Sequence, residues 1–243
     1  MNAPYVAAFI AKLERLDSLS PEERSVLAAA ATAGRRVAAG QDIVREGERP
    51  RESTLLLSGF AARYNSFPDG RRQMTALHVK GDFVDLHSFL IHRMDHGVVA
   101  LSDCTVCVTP HEALLAITER HPHLTRLLWL TTLIDSAIHR RWLVAMGRLA
   151  ATARFAHLLC ELWRRLDTVN ETDGYSFDLP LTQAQLADVL GLSLVHVNRV
   201  SQELRQQGLI LWRNRRLTIL DWDRLRALAE FDPSYLNLIE ERR

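Results

Sequence analysis

The organisation of this chain is clearest in LTQAQLADVLGLSLVHVNRVSQELRQQGLILWRNRR, residues 181–216. Thr182 and Gln185 have the spacing of a capping box, in which two side chains satisfy the free amide groups at a helix start. Gly191 predicts the end of this helix, because glycine adopts the left-handed turn conformation without steric cost. Ser193 predicts the N-cap of a second helix. Two helices joined by a tight turn are therefore expected here.

The second helix has one apolar and one polar side. Its apolar positions recur three and four residues apart at Val197, Val200 and Leu204. The polar side can contact phosphates or base edges and consists of His196, Asn198, Arg199, Gln202 and Arg205. A helix-turn-helix of this kind can place its second helix in the major groove of DNA. Asn198 and Arg199 are the best candidate readers, because Asn can bind adenine and Arg can bind guanine at two positions.

A short basic hairpin is expected after this helix, which ends at Gly208. Residues 212–216 look like its tip, and the returning strand is expected to contain Leu217, Ile219 and Leu220. Residues 194–216 contain five arginines and one glutamate, a net charge of +4. The alternative is a plain helical hairpin with a solvated basic face, since helical hairpins are common. The caps, the glycine and the basic hairpin together favour a winged helix-turn-helix.

This segment resembles the DNA-binding domain of the Crp/Fnr family of bacterial transcription regulators, most specifically over LTQAQLADVLGLSLVHVNRVSQELRQQGLI. The resemblance implies that bases are read by Leu194, Val195, Asn198 and Arg199. Contacts to the DNA backbone are expected, from the resemblance and from the wing, at Thr182, Gln183, Ser193, His196, Arg213 and Arg215. Many family members carry Glu where this chain has Val195. Glu accepts a hydrogen bond from cytosine whereas valine can only contact a thymine methyl, so the operator is expected to differ.

Composition limits the remaining possibilities. The 243 residues suffice for one large domain or two modest ones, and the net charge of +1 requires that any DNA affinity come from local charge. The sequence contains no apolar run of 18 residues, so no membrane span is expected. The N-terminal MNAPYVAAFIAKLERL lacks the layout of a signal peptide and is typical of an amphipathic helix. Three cysteines argue against a disulfide framework and suit the cytoplasm.

Residues 35–109 have a different sequence pattern. Glycines recur between runs of β-forming residues, at Gly40, Gly47, Gly59, Gly70 and Gly81, and predict a small antiparallel jelly roll. The layout resembles the sensor domain of the Crp/Fnr family, which has the cyclic-nucleotide-binding fold, over AGQDIVREGERP, LLLSGFAARYNSFPDGRRQM and KGDFVDLHSFL. The fold alone does not imply the ligand.

A cyclic nucleotide is not expected to bind this roll. The resemblance places Asp82 where cyclic-nucleotide binders have Glu, and residues 94–98, MDHGV, where they have the Arg and hydroxyl residue that hold the phosphate. Asp95 would repel a phosphate, and a buried phosphate needs compensating donors. A cyclic-nucleotide-responsive regulator remains the alternative.

No cofactor is identified from the sequence. The oxygen-sensing branch of the family holds an iron–sulfur cluster on N-terminal cysteines, and residues 1–34 contain none. Cys104 and Cys107 have the gap of a metal or redox pair, but in a strand their side chains face opposite sides of the sheet. Three histidines could form a metal or haem site, or be scattered surface residues: His87, His92 and His96. A cupin-like enzyme with histidine-bound metal is a further alternative, but it leaves the basic wing unexplained.

A long helical region is expected over residues 111–147, restarting at Pro122. Spacings of four and three define a heptad-like seam at Leu127, Thr131, Ile134, Ile138, Arg141 and Ala145. A second apolar side consists of Leu128, Leu130, Leu133 and Ala137. Two stripes suggest that one packs on the roll and the other on a partner, and the resemblance implies the family's dimerisation helix, with the seam at the partner. The alternative is a buried helix in a monomer.

The sequence therefore predicts an α+β protein with an antiparallel jelly roll, a long dimerisation helix and a C-terminal winged helix-turn-helix. The expected domains are residues 1–147 and 148–243. The expected function is that of a homodimeric, cytoplasmic transcription regulator without enzymatic activity. Its partners would be a double-stranded DNA operator and, for an activator, RNA polymerase. Two recognition helices would lie about one DNA turn apart, roughly 34 Å.

Overall fold

The computed structural model describes residues 3–239 and 241. Two helices come first, α1 (Ala3–Leu13) and α2 (Pro21–Ala30). Ser20 caps α2 because its hydroxyl accepts a hydrogen bond from the Glu23 amide, while the Glu23 carboxylate accepts one from the Ser20 amide. The buried side chains of both helices join the main hydrophobic core, which also includes residues of the DNA-binding half of the chain.

The jelly roll predicted over residues 35–109 is confirmed. Its strands are β1 (Arg35–Val37), β2 (Asp42–Val44), β3 (Glu52–Ser58), β4 (Ala61–Ser66), β5 (Arg72–His78), β6 (Gly97–Ala100) and β7 (Cys104–Pro110). They form two antiparallel sheets with the orders β1-β7-β3 and β2-β6-β4-β5. A short helix, α3 (Ser88–Ile91), lies between β5 and β6. The turn from β3 to β4 requires Gly59, which has a φ of +87° and whose Cβ would lie 2.5 Å from the Asp103 carbonyl oxygen.

The cysteines follow the alternation that their strand predicts. Cys104 lies in a smaller cluster with residues such as Val98, whereas Cys107 lies in the main core on the other side of the strand. Both are buried free thiols, as is Cys160. Burial raises the pKa of Cys107 to about 11 and that of Cys160 to about 12. These thiols are therefore packing residues rather than reactive groups.

The long helical region is divided into α4 (His111–Arg120) and α5 (Pro122–Arg148). The break lies at His121, and Pro122 occupies the first turn of α5, where its missing amide costs nothing. The predicted domain boundary after Gly147 lies one residue before the end of α5. The chain then enters α6 (Ala151–Asp167), in which residues 155–162 are all buried, so that its middle is enclosed on every side.

The seam predicted for the dimer contact lies mainly inside the chain itself. Four of its residues are buried in the isolated protomer: Leu127, Ile134, Ile138 and Ala145. Thr131 and Arg141 are half-buried, and Arg141 donates to His157 and to the Glu230 carbonyl oxygen. These four residues are therefore packed within the protomer, where α5 contacts α4, α6, β5 and the C-terminal segment, and a partner contact through this seam stays a prediction.

A different face of α5 is exposed. Its residues recur at alternating spacings of four and three, and we call them the outer stripe: Trp129, Leu133, Ser136, Arg140, Leu143 and Gly147. Val144 is also exposed beside Leu143. The outer stripe thus has the heptad period of the predicted seam but is exposed in the protomer, with Ser136 and Leu143 at the border of a cavity between α5 and the roll.

The C-terminal half contains a helix-turn-helix beside a small sheet. Its elements are β8 (Thr172–Asp173), β9 (Ser176–Asp178), α7 (Gln183–Leu190), α8 (Leu194–Gln206), β10 (Ile210–Arg213), β11 (Arg216–Ile219), α9 (Trp222–Leu228) and a 3₁₀ turn at Pro233–Leu236. The sheet is antiparallel with the order β10-β11-β9-β8. This arrangement confirms the winged helix-turn-helix.

A buried cluster of charged groups joins the two halves. The Arg165 guanidinium donates to Asp82 at 2.6 Å, to the Leu77 carbonyl oxygen at 2.8 Å and to Glu161 at 3.0 Å. Lys12 also pairs with Asp82. Burial alone would raise the pKa of Asp82, but the charges of Lys12 and Arg165 hold it well below its usual range. The roll and α6 are therefore held together by ion pairs that water hardly reaches.

Within the described residues, no helix combines the length and the apolar character needed to cross a membrane.

Candidate nucleic-acid interface

The caps of the helix-turn-helix are formed as the sequence predicts. The Thr182 hydroxyl accepts from the Gln185 amide at 3.1 Å, and the Gln185 side-chain oxygen accepts from the Thr182 amide at 2.7 Å. Gly191 ends α7 with a φ of +62°. The Ser193 hydroxyl accepts from the His196 amide at 3.3 Å and caps α8. These caps fix where each helix begins, and so which residues lie at the exposed end of α8.

The four predicted base readers lie together at the start of α8. Leu194, Val195, Asn198 and Arg199 are all exposed, and Val195 is 79% exposed. The opposite side of the helix is held in the core by Val197, Val200 and Leu204. The N-terminal part of a recognition helix is the part that contacts base edges in the major groove.

Arg199 has a local partner. Its guanidinium donates to Nε2 of His196 at 2.7 Å, one turn earlier on the helix. Arginine offers only donors, so Nε2 of His196 is the acceptor of this bond. Such a bond restrains the long arginine side chain over the exposed face of α8.

The wing is a tight hairpin with a two-residue turn. Arg213 pairs with Arg216, and the two residues between them have positive φ angles, +51° at Asn214 and +65° at Arg215. Positive φ at both central positions is the pattern of a type I′ turn, whose twist suits a hairpin. The side chains of Arg213 and Arg215 are exposed.

Two details of the wing differ from the sequence prediction. The returning strand ends at Ile219, and Leu220 is exposed beyond it. Arg216 forms ion pairs with Asp173 at 3.2 Å and with Asp178 at 3.3 Å. Its charge is thus largely balanced, which a count over residues 194–216 could not show because both aspartates lie upstream.

A groove of about 250 Å³ lies between the start of α7, α8 and the wing. It is lined by residues of all three, including Gln183, Ser201, Arg205, Arg213 and Arg215. The Gln183 side-chain oxygen and the Ser201 hydroxyl are buried and have no hydrogen-bond partner among residues 3–239 and 241. Ser201 could not be predicted as part of this groove, because it lies beside Val200 among the buried residues of α8.

The hydroxyls of Thr182 and Ser193 already accept hydrogen bonds as caps. A hydroxyl accepts and donates at once, so each can still donate to a phosphate oxygen. The structure places the six predicted backbone contacts as follows: Thr182 and Ser193 cap the starts of α7 and α8, His196 lies on α8, and Gln183, Arg213 and Arg215 line the groove.

The first helix of the motif is docked on the roll. The Gln185 side-chain amide donates to the Leu101 carbonyl oxygen at 2.7 Å, and the Gln73 side-chain amide donates to the Asp188 carbonyl oxygen at 3.0 Å. No local pattern predicts these contacts, because the paired residues are 84 and 115 positions apart in the chain. The docking fixes α7 against the roll and leaves the readers of α8 exposed.

A second cavity lies between the roll and α5, with a volume of about 490 Å³. Arg63 lies at its wall, where it donates to Asp135 at 3.0 Å and bonds to His139 at 3.1 Å. Burial alone would raise the pKa of Asp135, but Arg63 and nearby histidines lower it to about 2. Asp82, the predicted stand-in for a ligand-binding Glu, is instead buried and bonded to Arg165 and Lys12.

The structure brings together two of the three histidines considered from the sequence. Nε2 of His87 and Nε2 of His96 are 3.0 Å apart, and Asp95 lies next to them. Burial and the charge of Arg63 lower the pKa of both imidazoles to about 4, so both are neutral near pH 7. His92 is exposed, with a φ of +59° at the end of α3, and lies outside this group.

Comparison with known proteins matches both halves of the chain. Residues 34–121 match the cyclic nucleotide-binding domain family, and residues 153–228 match the Crp-like helix-turn-helix domain family. The chain is 31% identical to the transcriptional activator protein FnrL of Cereibacter sphaeroides, over 77% of this chain and 76% of that protein. It is 28% identical to the nitrogen fixation regulation protein FixK of Bradyrhizobium diazoefficiens, over 81% of this chain and 82% of that protein.

The structure is also similar to that of FixK2 from Bradyrhizobium japonicum. The TM-score is 0.74 at 26% identity, and the match covers 82% of this chain and 96% of that chain. The exposed recognition helix and its basic wing thus occur in a fold that this chain shares with FixK2. From the likeness to FnrL over three quarters of both chains, we conclude that the chain belongs to the Crp/Fnr family of DNA-binding transcription regulators.

Proposed function

We propose that the chain acts as a homodimer that binds a near-palindromic operator through α8 and is controlled through the cavity between the roll and α5. The observation that carries this proposal is the start of α8. Its outer side exposes Leu194, Val195, Asn198 and Arg199, while its inner side is packed in the core. A helix so anchored can enter a major groove without losing core contacts.

Direct readout is assigned to Asn198 and Arg199. Their side chains offer the paired hydrogen bonds that distinguish adenine and guanine, respectively. Val195 is the most exposed of the four readers and has only methyl groups to offer. It suits a thymine methyl, which supports an operator with thymine at that position.

The outer stripe is our candidate for the dimer contact. It exposes Trp129, Leu133 and Leu143 along one face of a 27-residue helix. Large apolar side chains at heptad spacing are typical of a helix that pairs with another helix. A second copy of α5 is the proposed occupant, because a two-fold dimer places two recognition helices on the half-sites of a palindrome.

Substituting Arg199 and Arg215 tests the division between reading and backbone contacts. Arg199→Ala is expected to weaken the free energy of operator binding by about 1–3 kcal/mol and to relax the preference at one base pair, because it removes a bidentate hydrogen bond to guanine. Arg215→Gly is expected to weaken all sequences about equally and to lower the salt slope by about one. Glycine is chosen because position 215 has a positive φ.

The measurement is binding to the operator and to scrambled DNA over a salt series, with the operator selected from a random pool by the native protein. Arg36→Ala, a change of an exposed arginine on β1, is the control and should leave binding unchanged. If Arg199→Ala weakens scrambled DNA as much as the operator, Arg199 contacts a phosphate and the assignment of the reader fails.

Cyclic nucleotides are not proposed as the effector. Asp82 is engaged by Lys12 and Arg165, and the 78% exposed carboxylate of Asp95 lies at the second cavity, where it would repel a phosphate. Calorimetry with cyclic AMP and cyclic GMP should therefore give no saturable heat and no rise in melting temperature. A ligand at a hundred times its Kd would stabilise the protein by about 2.7 kcal/mol, so its effect would be visible. Saturable heat with either nucleotide would overturn this expectation.

We assign the chain no enzymatic activity, since a cupin-like enzyme would leave the basic wing without a purpose. The proposed location is the cytoplasm, where the operator is. FnrL is a transcriptional activator by name. If this chain also activates transcription, RNA polymerase is its proposed protein partner.

A further inference from the structure

We propose that His87, His96 and Asp95 bind one divalent transition-metal ion at the edge of the second cavity. His87 lies just before α3, and the other two residues lie just before β6. That the ion binds does not depend on the DNA-binding function. That the ion acts as the effector rests on the proposed function, and ion binding and the effector role are tested by separate measurements.

The distances fit a shared ion. Nε2 of His87 and Nε2 of His96 are 3.0 Å apart, and a carboxylate oxygen of Asp95 is 3.7 Å from Nε2 of His96. The three ligand atoms all lie within 4.8 Å of one another. Two imidazole nitrogens that bind one ion at about 2.0–2.1 Å are about 3.0 Å apart when they subtend a right angle at it. The histidine pair therefore already has the separation of adjacent ligands, and Asp95 needs only a small rotation.

The segment that carries two of the ligands is held in place. Residue Met94 is buried, its amide donates to the Glu48 carbonyl oxygen at 2.9 Å, and its own carbonyl accepts from the Gly47 amide at 2.7 Å. The Asn65 side chain donates to the Asp95 carbonyl oxygen at 3.1 Å. Rigid support of this kind lowers the entropic cost of binding an ion.

The surrounding charges permit a cation. Arg63 is the nearby positive group, but it is paired with Asp135 and also donates to the Val84 carbonyl oxygen at 3.3 Å. The Asp95 carboxylate lies 3.7 Å from Nε2 of the neutral His96 imidazole and is paired with no lysine or arginine within the part of the chain that the structure describes. With Arg63 balanced by Asp135, the carboxylate of Asp95 leaves the site with a net negative charge.

The ligand set limits the kind of ion. Mg²⁺ and Ca²⁺ prefer oxygen ligands, whereas two imidazoles and a carboxylate suit Zn²⁺, Fe²⁺ or Co²⁺. The three protein ligands leave positions open toward the cavity of about 490 Å³, where water or a small molecule can complete the coordination. An ion there would link α3 to β6 opposite the Ser136 and His139 side of α5, and would bias how the roll sits on that helix.

The test is titration of the full chain, without a polyhistidine tag and after removal of metals by a chelator, with Co²⁺ followed by its visible absorption and with Zn²⁺ as competitor. We expect one ion per chain. His87→Gln and Asp95→Asn should each weaken binding, the former by at least about 100-fold, since loss of supporting partners alone costs 10–100-fold. His92→Gln is the matched control and should bind as the native chain does.

Binding that is unchanged by His87→Gln, or a Kd for Zn²⁺ above about 1 mM, would overturn the site. The absorption readout does not involve DNA, so a failure of DNA binding leaves it intact. Operator binding is then compared with and without Zn²⁺ for the native chain and for His87→Gln. A change confined to the native chain supports the ion as effector, and no change overturns that role while leaving the site itself standing.

Discussion

Arg165→Met is expected to lower the free energy of unfolding by about 3–5 kcal/mol, the usual cost of breaking a buried ion pair by removing one partner. The guanidinium bonds to Asp82 and Glu161 and to the Leu77 carbonyl oxygen, and it is almost fully buried. Methionine fills much of the same space but leaves Glu161 buried without its cation. Lys12 still contacts Asp82, so that carboxylate keeps a cation, whereas Glu161 keeps only its hydrogen bonds from Trp142 and Tyr235.

The measurement is urea unfolding followed by tryptophan fluorescence at a fixed protein concentration, because the stability of an oligomer depends on concentration. Arg164→Met is the matched control. Arg164 is the preceding residue, more than a third exposed, and its pair with Asp167 is 3.6 Å long. Exposed pairs contribute about 0–1 kcal/mol, so the control should change little. Equal costs for the two variants would show that the buried cluster does not hold the halves together.

Features set by neighbouring residues could be predicted from the sequence. The capping box of α7, the stop at Gly191 and the cap at Ser193 each depend on groups within four residues, and each is formed as expected. The alternation that separates Cys104 from Cys107 is equally local. For the same reason the exposed readers of α8 follow directly once its buried side is identified.

The side of α5 that faces the protomer could not be predicted from periodicity. The seam through Ile134 and the outer stripe through Leu133 have the same heptad spacing and both contain large apolar residues. Their difference arises from what packs on the helix, namely α6, β5 and the C-terminal 3₁₀ turn. Those neighbours are distant in sequence, so no pattern within α5 carries the information.

The polar clusters around Arg165 and His87 could not be predicted either, because they bring together residues that no local pattern connects. Arg165 and Asp82 are 83 positions apart in the sequence, and neither lies in a motif that predicts the other as its partner. Spacing alone grouped His92 with His87 and His96. The structure instead supplies Asp95, because His92 turns outward in a left-handed conformation at the end of α3.

Leu133→Asp combined with Leu143→Asp is expected to convert the proposed dimer into folded monomers. Both leucines are at least half exposed in the protomer, so aspartate can be solvated there without disturbing the core. In a dimer through the outer stripe, the same change would bury unpaired charges between two copies of α5, which is strongly unfavourable. Loss of the second recognition helix should also weaken operator binding by about 100-fold or more, because the two half-sites would no longer be linked.

Sedimentation velocity at micromolar concentration measures the assembly, and circular dichroism verifies that the variant remains folded. Leu115→Asp on α4 is the control: Leu115 is 49% exposed and Leu133 is 50% exposed, so the two sites differ in location rather than in burial. Ile134→Asp separates the two faces of α5, since that charge would enter the protomer's own core and lower its stability. A native protein that sediments as a monomer would rule out the proposed contact. A double variant that remains a dimer would show that the subunits meet elsewhere, because two aspartates per chain cannot be buried in a contact through the outer stripe.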